Sequence, residues 1–205
     1  MTQDNTIRQA MASLTSIDED VRAAAIETLG DNQHGPAVPQ IIEIYAEADP
    51  GTRFIAVKAL GKIGDEQAIP TLLDALRGND MWTRAAATGA LISMGLPAVD
   101  GLVEALRDED KNVRRAAAKA IGKIGEQAQD EGVLRGLSVA LLDVDKGVRR
   151  FAAEALGRLD ADSMVSELKQ TLGDKNADVR LAAFRALAKI DTPEARTAVR
   201  SWLHE

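Results

Sequence analysis

The sequence contains no cysteine, and only two of its 205 residues are histidine. Without cysteine the chain cannot form a disulfide, a thiolate metal site or a cysteine nucleophile, and it cannot hold a cofactor through a thioether bond. The two histidines, His34 and His204, lie near opposite ends of the chain. We therefore predict no metal site and no tightly bound cofactor.

Aromatic residues make up only 3% of the chain, so its core must be built from alanine, leucine, isoleucine and valine. These residues suit closely packed helices better than a β-sandwich. No apolar stretch approaches about 18 residues, and the first residues lack a basic segment followed by an apolar run. We expect no membrane partner, no signal peptide and a cytoplasmic protein.

Acidic residues outnumber basic ones by 32 to 25, which gives a net charge of −7 at pH 7. This balance disfavours a nucleic-acid partner but leaves room for a local basic surface. The sequence shows no GxGxxG or P-loop motif and no nucleophile with an identifiable base. The residues alone indicate a binding surface, and catalytic residues stay unknown.

A repeated pattern runs through the chain, anchored on an arginine that recurs at spacings of 31, 31, 30, 35 and 31 residues. Seven residues after each arginine stands a leucine or isoleucine, usually followed by glycine. Four residues before it stands aspartate, or asparagine in the last repeat. The anchor arginines are Arg22, Arg53, Arg84, Arg114, Arg149 and Arg180.

Each repeat predicts two helices, since apolar residues recur at helical spacing in 68–78, 98–108 and 164–174 and again in segments such as 113–125. Segments 68–78, 98–108 and 164–174 are each the first helix of a repeat. Segments such as 113–125 are the second helix of a repeat, capped by aspartate or asparagine and closed by glycine. A further terminal helix is predicted over 193–205, with Pro193 near its start. The 35-residue spacing places extra residues around 125–132.

A single helix pair cannot bury its apolar face, so neighbouring pairs must stack. We therefore predict an all-α protein, a right-handed α-solenoid of about six HEAT-like helix pairs plus a terminal helix. The array is expected to form a single repeat domain over residues 1–205.

The pattern D-x-x-VR-x-x-A-x-x-ALG-x-IG resembles HEAT repeats of the short, phycobilisome-lyase type. Segments 50–65 and 112–125 are similar to parts of the cyanobacterial E/F-type bilin lyase subunits and their chaperone-like or phycobilisome-turnover relatives. The resemblance implies a concave surface lined by second helices and anchor arginines paired with aspartates of the same or a neighbouring repeat. It also implies phycobiliprotein subunits and their bilins as clients, and a heterodimer with another HEAT-like subunit.

The positions one, five and nine residues after each anchor arginine lie opposite the apolar face of the second helix. Across six repeats they hold nine basic residues and three acidic ones, which predicts a basic groove with a neutral gap at the third repeat. The alternative is an ordinary solvated face. The basic residues are Lys58, Lys62, Arg115, Lys119, Lys123, Arg150, Arg158, Arg185 and Lys189.

The third repeat replaces charge with Met81 and Trp82 at the start of its second helix, followed by Ala85 and Gly89. A large aromatic above small side chains, with Phe54 on the preceding repeat, predicts a recognition hot spot of Trp82, Phe54 and Met81. The alternative is that Trp82 packs on the preceding repeat and that Gly89 relieves crowding.

The residues and the family resemblance together leave three functions open, of which the first is the one that the resemblance implies. The first is a bilin lyase or chaperone-like factor that holds an acidic phycobiliprotein subunit, a bilin or both in the basic groove. The second is a protein-interaction scaffold with an acidic client and no catalytic activity. The third, disfavoured by net charge, is a HEAT-like DNA glycosylase using Trp82, Trp202 and Asp80. A HEAT-like deoxyhypusine hydroxylase is excluded, since the one His-Glu pair is terminal.

Overall fold

The computed structural model describes residues 3–128 and 130–204, and within these ranges the chain forms thirteen α-helices and no strand. The prediction of an all-α solenoid is confirmed. Packing divides the chain into two compact units, Met1–Gly101 and Leu102–Glu205. The single domain over 1–205 stays a prediction.

Unit 1 holds three pairs of helices and the start of a seventh helix. Consecutive helices pack against each other within a pair, and α2, α4 and α6 pack side by side. The helices are α1 (Gln3–Ser13), α2 (Glu19–Asp31), α3 (Val38–Glu47), α4 (Pro50–Ile63), α5 (Ile69–Ala75), α6 (Met81–Met94) and α7 (Val99–Ala105), within which the division between units falls.

Unit 2 repeats this arrangement, with α8, α10 and α12 packed side by side. The spacing of 35 residues between Arg114 and Arg149 is accommodated by a longer second helix, since α8 continues to Gln127. Of the predicted extra segment, residue 129 lies outside the described residues. The helices are α8 (Lys111–Gln127), α9 (Glu131–Leu141), α10 (Lys146–Arg158), α11 (Val165–Thr171), α12 (Ala177–Ile190) and α13 (Pro193–Leu203).

Each second helix begins at the predicted cap, four residues before the anchor arginine. The cap side chain accepts hydrogen bonds from backbone amides of the first turn, as Asp18 does from Asp20 and Val21 at 3.0 and 3.3 Å. Such caps satisfy amides that a helix leaves without partners. The capping residues are Asp18, Asp49, Asp80, Asp110, Asp145 and Asn176.

The aliphatic residue seven positions after each anchor arginine is completely buried. Burying one such side chain contributes roughly 1.5–3 kcal/mol to the free energy of unfolding. Each repeat places one of these residues in its second helix. These residues are Leu29, Leu60, Leu91, Ile121, Leu156 and Leu187.

In four of the six repeats a glycine follows this aliphatic residue and lies inside the helix, where it meets an alanine of the next repeat. A Cβ built on Gly157 would come within 2.6 Å of the Cα of Ala186, and one on Gly30 within 2.7 Å of the Cα of Ala59. Gly61 and Gly122 meet Ala90 and Ala155 in the same way. Glycine at this position permits the close approach of consecutive second helices.

The prediction that glycine closes the second helix over 113–125 is therefore wrong. Gly125 is buried inside α8, against Val133 and Leu159. Glycine does end α4, where Gly64 adopts a left-handed backbone with φ of 75°, a conformation that glycine adopts without steric cost. Sequence position alone does not separate these two uses of glycine.

The anchor arginines bind backbone carbonyls at the end of the first helix or in the turn after it. Arg84, for example, donates to the carbonyls of Leu76 and Gly78 at 3.0 and 2.7 Å. The same type of bond joins Arg22 to Ser16 and Arg180 to Asp174. Each arginine thereby ties the second helix to the preceding turn of its own repeat.

Two anchor arginines of unit 2 also bind a carboxylate of the next repeat, as the family resemblance implied. Arg114 donates to Asp143 at 2.7 and 3.2 Å, and Arg149 donates to Asp174 at 2.6 and 2.9 Å. The Arg149 guanidinium keeps the pKa of Asp174 below its ordinary value. These forked pairs join consecutive repeats as well as the helices within one repeat.

The terminal helix α13 begins at the predicted Pro193, and the Thr192 hydroxyl accepts a hydrogen bond from the amide of Ala195. Its Trp202 ring lies 5.0 Å from that of Phe184 on α12. The half-buried Trp202 thus helps to pack the terminal helix α13 against α12.

Two glycine substitutions are expected to change stability in opposite directions. Gly157→Ala should lower the free energy of unfolding by about 1–3 kcal/mol, because the new methyl group overlaps the backbone of Ala186. Gly89→Ala, in the exposed interior of α6 with no atom near its new Cβ, should raise it by about 1 kcal/mol. Denaturant unfolding measures both, and stabilisation by both substitutions would contradict the close-approach role of Gly157.

Candidate binding face on the second helices

The predicted hot spot in unit 1 lies on the surface at the start of α6. Trp82 is 67% exposed and Met81 is 63% exposed, while Ala85 and Gly89 are exposed one and two turns further along. A Cβ on Gly89 would meet no atom within 4 Å. Packing of Trp82 on the preceding repeat and relief of crowding by Gly89 are therefore both unsupported, and the recognition role stays a prediction.

Phe54, the third predicted member of the hot spot, is half-buried on α4. The ammonium of Lys58 lies 5.4 Å from the centre of its ring, a cation–π contact within one helix. Lys62, one turn further, forms an ion pair with Asp31 of the preceding repeat. At the predicted positions, unit 1 thus has a cation–π contact between Lys58 and Phe54, and a lysine, Lys62, whose charge is neutralised by Asp31.

In unit 2, Arg115 forms a forked ion pair with Asp145 of the next repeat. Its Nε and Nη2 donate to the two carboxylate oxygens, each at 2.7 Å. Asp145 also caps α10 by accepting from the amides of Gly147 and Val148. The Arg115 guanidinium and these amides lower the pKa of Asp145 from 3.8 to about 2.

Glu126 neutralises two of the predicted groove cations. Lys123 donates to it at 2.8 Å, and Arg158 of the next repeat donates to its other oxygen. The Lys123 ammonium and the Arg158 guanidinium hold the pKa of Glu126 below its ordinary value. Glu126 lies three residues beyond the last position considered in the sequence pattern, so the pattern did not reveal it.

The remaining cations of unit 2 fall into paired and unpaired groups. Arg150 lies 3.8 Å from Glu154, and Lys189 lies 3.5 Å from Asp160 of the preceding repeat. Within the described ranges, no carboxylate pairs with Lys119 or Arg185. Six of the nine predicted basic residues, including Lys62 of unit 1, are thus matched by carboxylates of the chain itself.

A cavity of about 360 Å³ lies between α10 and α12 on this face. Four cations and two carboxylates line it, together with the exposed Leu181 and three small residues. The charged residues are Arg150, Arg158, Arg185 and Lys189, with Glu154 and Asp178. Of its four cations, Arg185 alone has no carboxylate partner within the described ranges, so the cavity offers one unpaired guanidinium beside an apolar wall, which suits an anionic group attached to an apolar body.

A second cavity of about 360 Å³ adjoins the first, since Arg150 and Asp178 line both. Its wall also includes Arg115, Lys146, Gly147, Phe151 and Asn176. Arg150 also lies 5.2 Å from the Phe151 ring centre. The structure thus brings Arg115, Arg150, Arg158, Arg185 and Lys189 together around two neighbouring cavities of unit 2.

The residues of the glycosylase alternative have structural partners. The Asp80 carboxylate accepts from the amides of Trp82 and Thr83 at 3.2 and 2.7 Å. The Thr83 hydroxyl and these amides lower its pKa, which makes it a weaker general base. Trp202 packs against Phe184 in unit 2, with the two ring planes tilted by 38°. These contacts favour helix capping and packing over base recognition for Asp80 and Trp202.

Across residues 3–128 and 130–204, no group of three or more histidine, aspartate or glutamate side chains is placed to hold a metal ion. In the same part of the chain, no helix is both long and apolar enough to cross a membrane.

Stacked helix pairs with an exposed second-helix face define the α-solenoid class of repeat protein. The family profile described as HEAT repeats matches residues 7–92, 78–135 and 133–205. The chain therefore belongs to the HEAT-repeat family. No curated protein matches the sequence significantly.

Solved structures with the same fold include proteins of different activity. The complex of CpcE and CpcF of phycocyanin lyase from Nostoc sp. PCC7120 is 26% identical, with a TM-score of 0.54, and the match covers 74% of this chain and 98% of that one. Human deoxyhypusine hydroxylase is 19% identical, with a TM-score of 0.51 and coverage of 90% and 84%.

A designed armadillo repeat protein in complex with the peptide (KR)4 is 18% identical, with a TM-score of 0.54 and coverage of 90% and 99%. The hydroxylase and the armadillo protein support the fold alone. The sequence resemblance to the phycobilisome-lyase type of repeat is matched by one structural neighbour, and the family is established at the level of HEAT repeats.

The ion pair between Arg115 and Asp145 is expected to make stability depend on pH in the acid range. Because folding lowers the pKa of Asp145 from 3.8 to about 2, its contribution is fully present above about pH 4 and is lost as the pH falls through 2. Arg115→Gln should lower the free energy of unfolding by about 1–2 kcal/mol at pH 7 and by less at pH 2.

Denaturant unfolding at both pH values tests this, with Arg200→Gln on α13 as a control that also removes one exposed cation. A loss that is equal at pH 7 and pH 2 for Arg115→Gln would contradict a pair that depends on the charge of Asp145.

The two tryptophans are expected to differ in their effect on stability. Trp82→Ala should change the free energy of unfolding by less than about 0.5 kcal/mol, because the side chain is mainly exposed. Trp202→Ala should lower it by about 1 kcal/mol or more, because it removes the contact with Phe184. Thermal and denaturant unfolding check both, and a large loss for Trp82→Ala would show that Trp82 is a packing residue.

Proposed function

We propose that this protein binds an acidic protein client on the second-helix face of unit 2, and that it acts as a bilin lyase or chaperone-like factor for phycobiliprotein subunits. The observation that carries the proposal is the cavity between α10 and α12, where the unpaired Arg185 lies beside the exposed Leu181 and three further cations that carboxylates of the chain already bind. Carboxylates of a client, or the two propionates of a linear tetrapyrrole substrate, are suitable partners for these cations.

The unpaired cations are the strongest candidates for client contacts. A client carboxylate that binds Arg185 or Lys119 does not have to displace a carboxylate of the chain itself, whereas one that binds Arg115 must compete with Asp145 at 2.7 Å. Leu181, next to Arg185 in the cavity wall, offers apolar contact to a tetrapyrrole ring or a client side chain. The exposed Trp82 and Met81 of unit 1 are proposed as a separate apolar contact for the client.

The similarity to the CpcE–CpcF complex supports the client and the partner in this proposal. That neighbour is a chain in the complex of CpcE and CpcF of phycocyanin lyase, and the match covers 98% of that chain. A heterodimer with another HEAT-like subunit is proposed on the same ground. Because this chain has no cysteine, a bilin could be attached only to a thiol of the client, while this chain would hold and orient both reactants.

A scaffold without catalytic activity is the second candidate. The observation that favours it is the pairing of six of the nine groove cations with carboxylates of the chain. A face that is largely neutralised in this way binds through a few unpaired charges and exposed apolar groups, as transient protein interfaces do. In this alternative the acidic client is unrelated to phycobilisomes.

Charge reversal at the unpaired cations is expected to weaken client binding. The affinity of the full chain for apo-phycocyanin α subunit can be measured by calorimetry, with and without phycocyanobilin. A Lys119→Glu, Arg185→Glu double variant should bind at least about tenfold more weakly, since like charges then face each other across the interface. The Lys119→Glu and Arg185→Glu single variants are compared with a matched control, Lys169→Glu, which also reverses one cation at an exposed site on α11.

Four outcomes of these measurements separate the candidates. Binding by wild type with covalent transfer of the bilin, seen as absorbance that survives denaturation, supports a lyase. Binding without transfer supports a chaperone or scaffold. Failure of wild type to bind, or equal weakening by Lys169→Glu, would contradict the proposed client or the proposed face, respectively.

A further inference from the structure

The charge of the chain is divided unevenly between the two units. Unit 1 contains fourteen acidic and seven basic residues, whereas unit 2 contains eighteen of each. The acidic excess is concentrated in residues 1–53, which hold nine acidic residues against Arg8, Arg22 and Arg53. The whole net charge of −7 thus belongs to unit 1, and most of it to its first three helices.

A cavity of about 420 Å³ lies in this part of unit 1, between the turn that joins α1 to α2 and the C-terminal end of α3. Its apolar wall includes the buried Leu14 and the half-buried Ile44. Ile17, which follows the lining residue Ser16 in the turn, is 99% exposed. Apolar surface is therefore open to solvent in the cavity and in the turn beside it.

Two glutamates of α3 supply acidic groups to the same cavity. Glu43 and Glu47 both line it and both have exposed side chains. Within the described ranges, neither forms an ion pair with a cation of the chain. They are thus accessible carboxylates that a partner can reach without displacing an internal pair.

The position of Glu47 in the repeat makes its lack of a partner unusual. In unit 2, the two carboxylates that stand six residues before an anchor arginine bind the anchor arginine of the preceding repeat. Glu47 has this position before Arg53, but Arg22 of the preceding repeat is engaged elsewhere. Arg22 donates to the Ser16 carbonyl at 2.6 Å and lies 3.6 Å from Glu19. The carboxylate of Glu47 is therefore left open.

The charge at the cavity stays negative when the neighbouring arginines are counted. Arg22 lines the cavity, and Arg53 donates to two backbone carbonyls at the end of α3. Three glutamates stand against these two arginines, since Glu19 lies beside Arg22 and both Glu43 and Glu47 are unpaired. A basic group is the complement of this surface.

Glu43 and Glu47 are placed where they destabilise the free protein. They are four residues apart on one helix, so their like charges repel each other. They also lie towards the C-terminal end of α3, where the helix dipole disfavours negative charge, and the last turn contains no basic residue. Residues that lower stability in this way are expected where binding requires them.

We propose that this cavity is a docking site for a helical protein segment that carries two arginines four residues apart and an aliphatic residue beside them. The arginines pair with Glu43 and Glu47, because a spacing of four residues gives the same separation on both helices. The aliphatic residue contacts Ile17 and the apolar wall. A guanidinium is more weakly hydrated than an ammonium, which favours arginine beside apolar surface.

This site does not rest on the proposed function. The cavity of the proposed function lies in unit 2 and offers the unpaired Arg185 to an acidic client. The present cavity lies in unit 1 and offers unpaired carboxylates to a basic partner. The two proposals are tested with different ligands and at different residues, so the failure of one is distinguishable from the failure of the other.

The test uses two capped, alanine-based helical peptides. One carries two arginines four residues apart with a leucine one turn away, and the other has citrulline, which is uncharged, in place of both arginines. Backbone amide shifts of the full chain are followed by NMR during each titration. At low ionic strength we expect the arginine peptide to bind about tenfold more tightly, with shifts at residues 14–17 and 43–48. Added salt should reduce this preference.

A Glu43→Gln, Glu47→Gln double variant should bind both peptides equally weakly. Its denaturant midpoint should be equal to that of wild type or higher, because the repulsion is removed. Ile17→Ser should weaken both peptides and leave the fold intact, since the side chain is exposed. The matched control is a Glu27→Gln, Glu66→Gln double variant, which removes two exposed carboxylates of unit 1 that do not line the cavity and should bind as wild type does.

Four results would each overturn the proposal. They are equal binding of the two peptides by wild type, shifts confined to residues outside this cavity, a preference that persists in the Glu43→Gln, Glu47→Gln variant, and the same loss of preference in the control variant. A lower denaturant midpoint for Glu43→Gln, Glu47→Gln would show that the two glutamates stabilise the fold and would contradict their placement for binding.

Discussion

The close approach of consecutive second helices at glycine and alanine is the constraint on which the rest of each unit depends. Where Gly157 meets Ala186, or Gly30 meets Ala59, even one added methyl group would overlap the neighbouring helix. At this spacing the rows of side chains on successive second helices lie side by side. The buried leucines and isoleucines then pack on the inner side of the second helices. On the exposed side, charged residues of neighbouring second helices come within reach of each other.

Charge on the exposed face follows from that spacing. Because neighbouring rows are close, Lys62 reaches Asp31, Arg115 reaches Asp145 and Arg158 reaches Glu126. These pairs join repeats. They also neutralise much of the positive charge that the nine basic residues predicted for the groove would otherwise give this face. Within the described residues, the cations of this face that no carboxylate pairs are Lys58, which lies over the Phe54 ring, Lys119, and Arg185 in the cavity between α10 and α12.

Features that depend on one repeat could be predicted from the sequence, and features that depend on two could not. Capping aspartates, buried aliphatic residues and helix pairs follow from local periodicity, and the structure contains all of them. The role of glycine as a contact and the binding of Arg158 by the carboxylate of Glu126 depend on distances between helices. Helical periodicity gives the direction of a side chain but not what lies opposite it.

The contact between glycine and alanine also has an evolutionary consequence. Each such step places a glycine of one repeat against an alanine of the next, so the trailing face of one repeat fits the leading face of another. Duplication or loss of one repeat would therefore recreate a contact that already exists and require no new complementary pair. A protein joined in this way can change its number of repeats by unequal recombination, while its binding residues diverge separately in each copy.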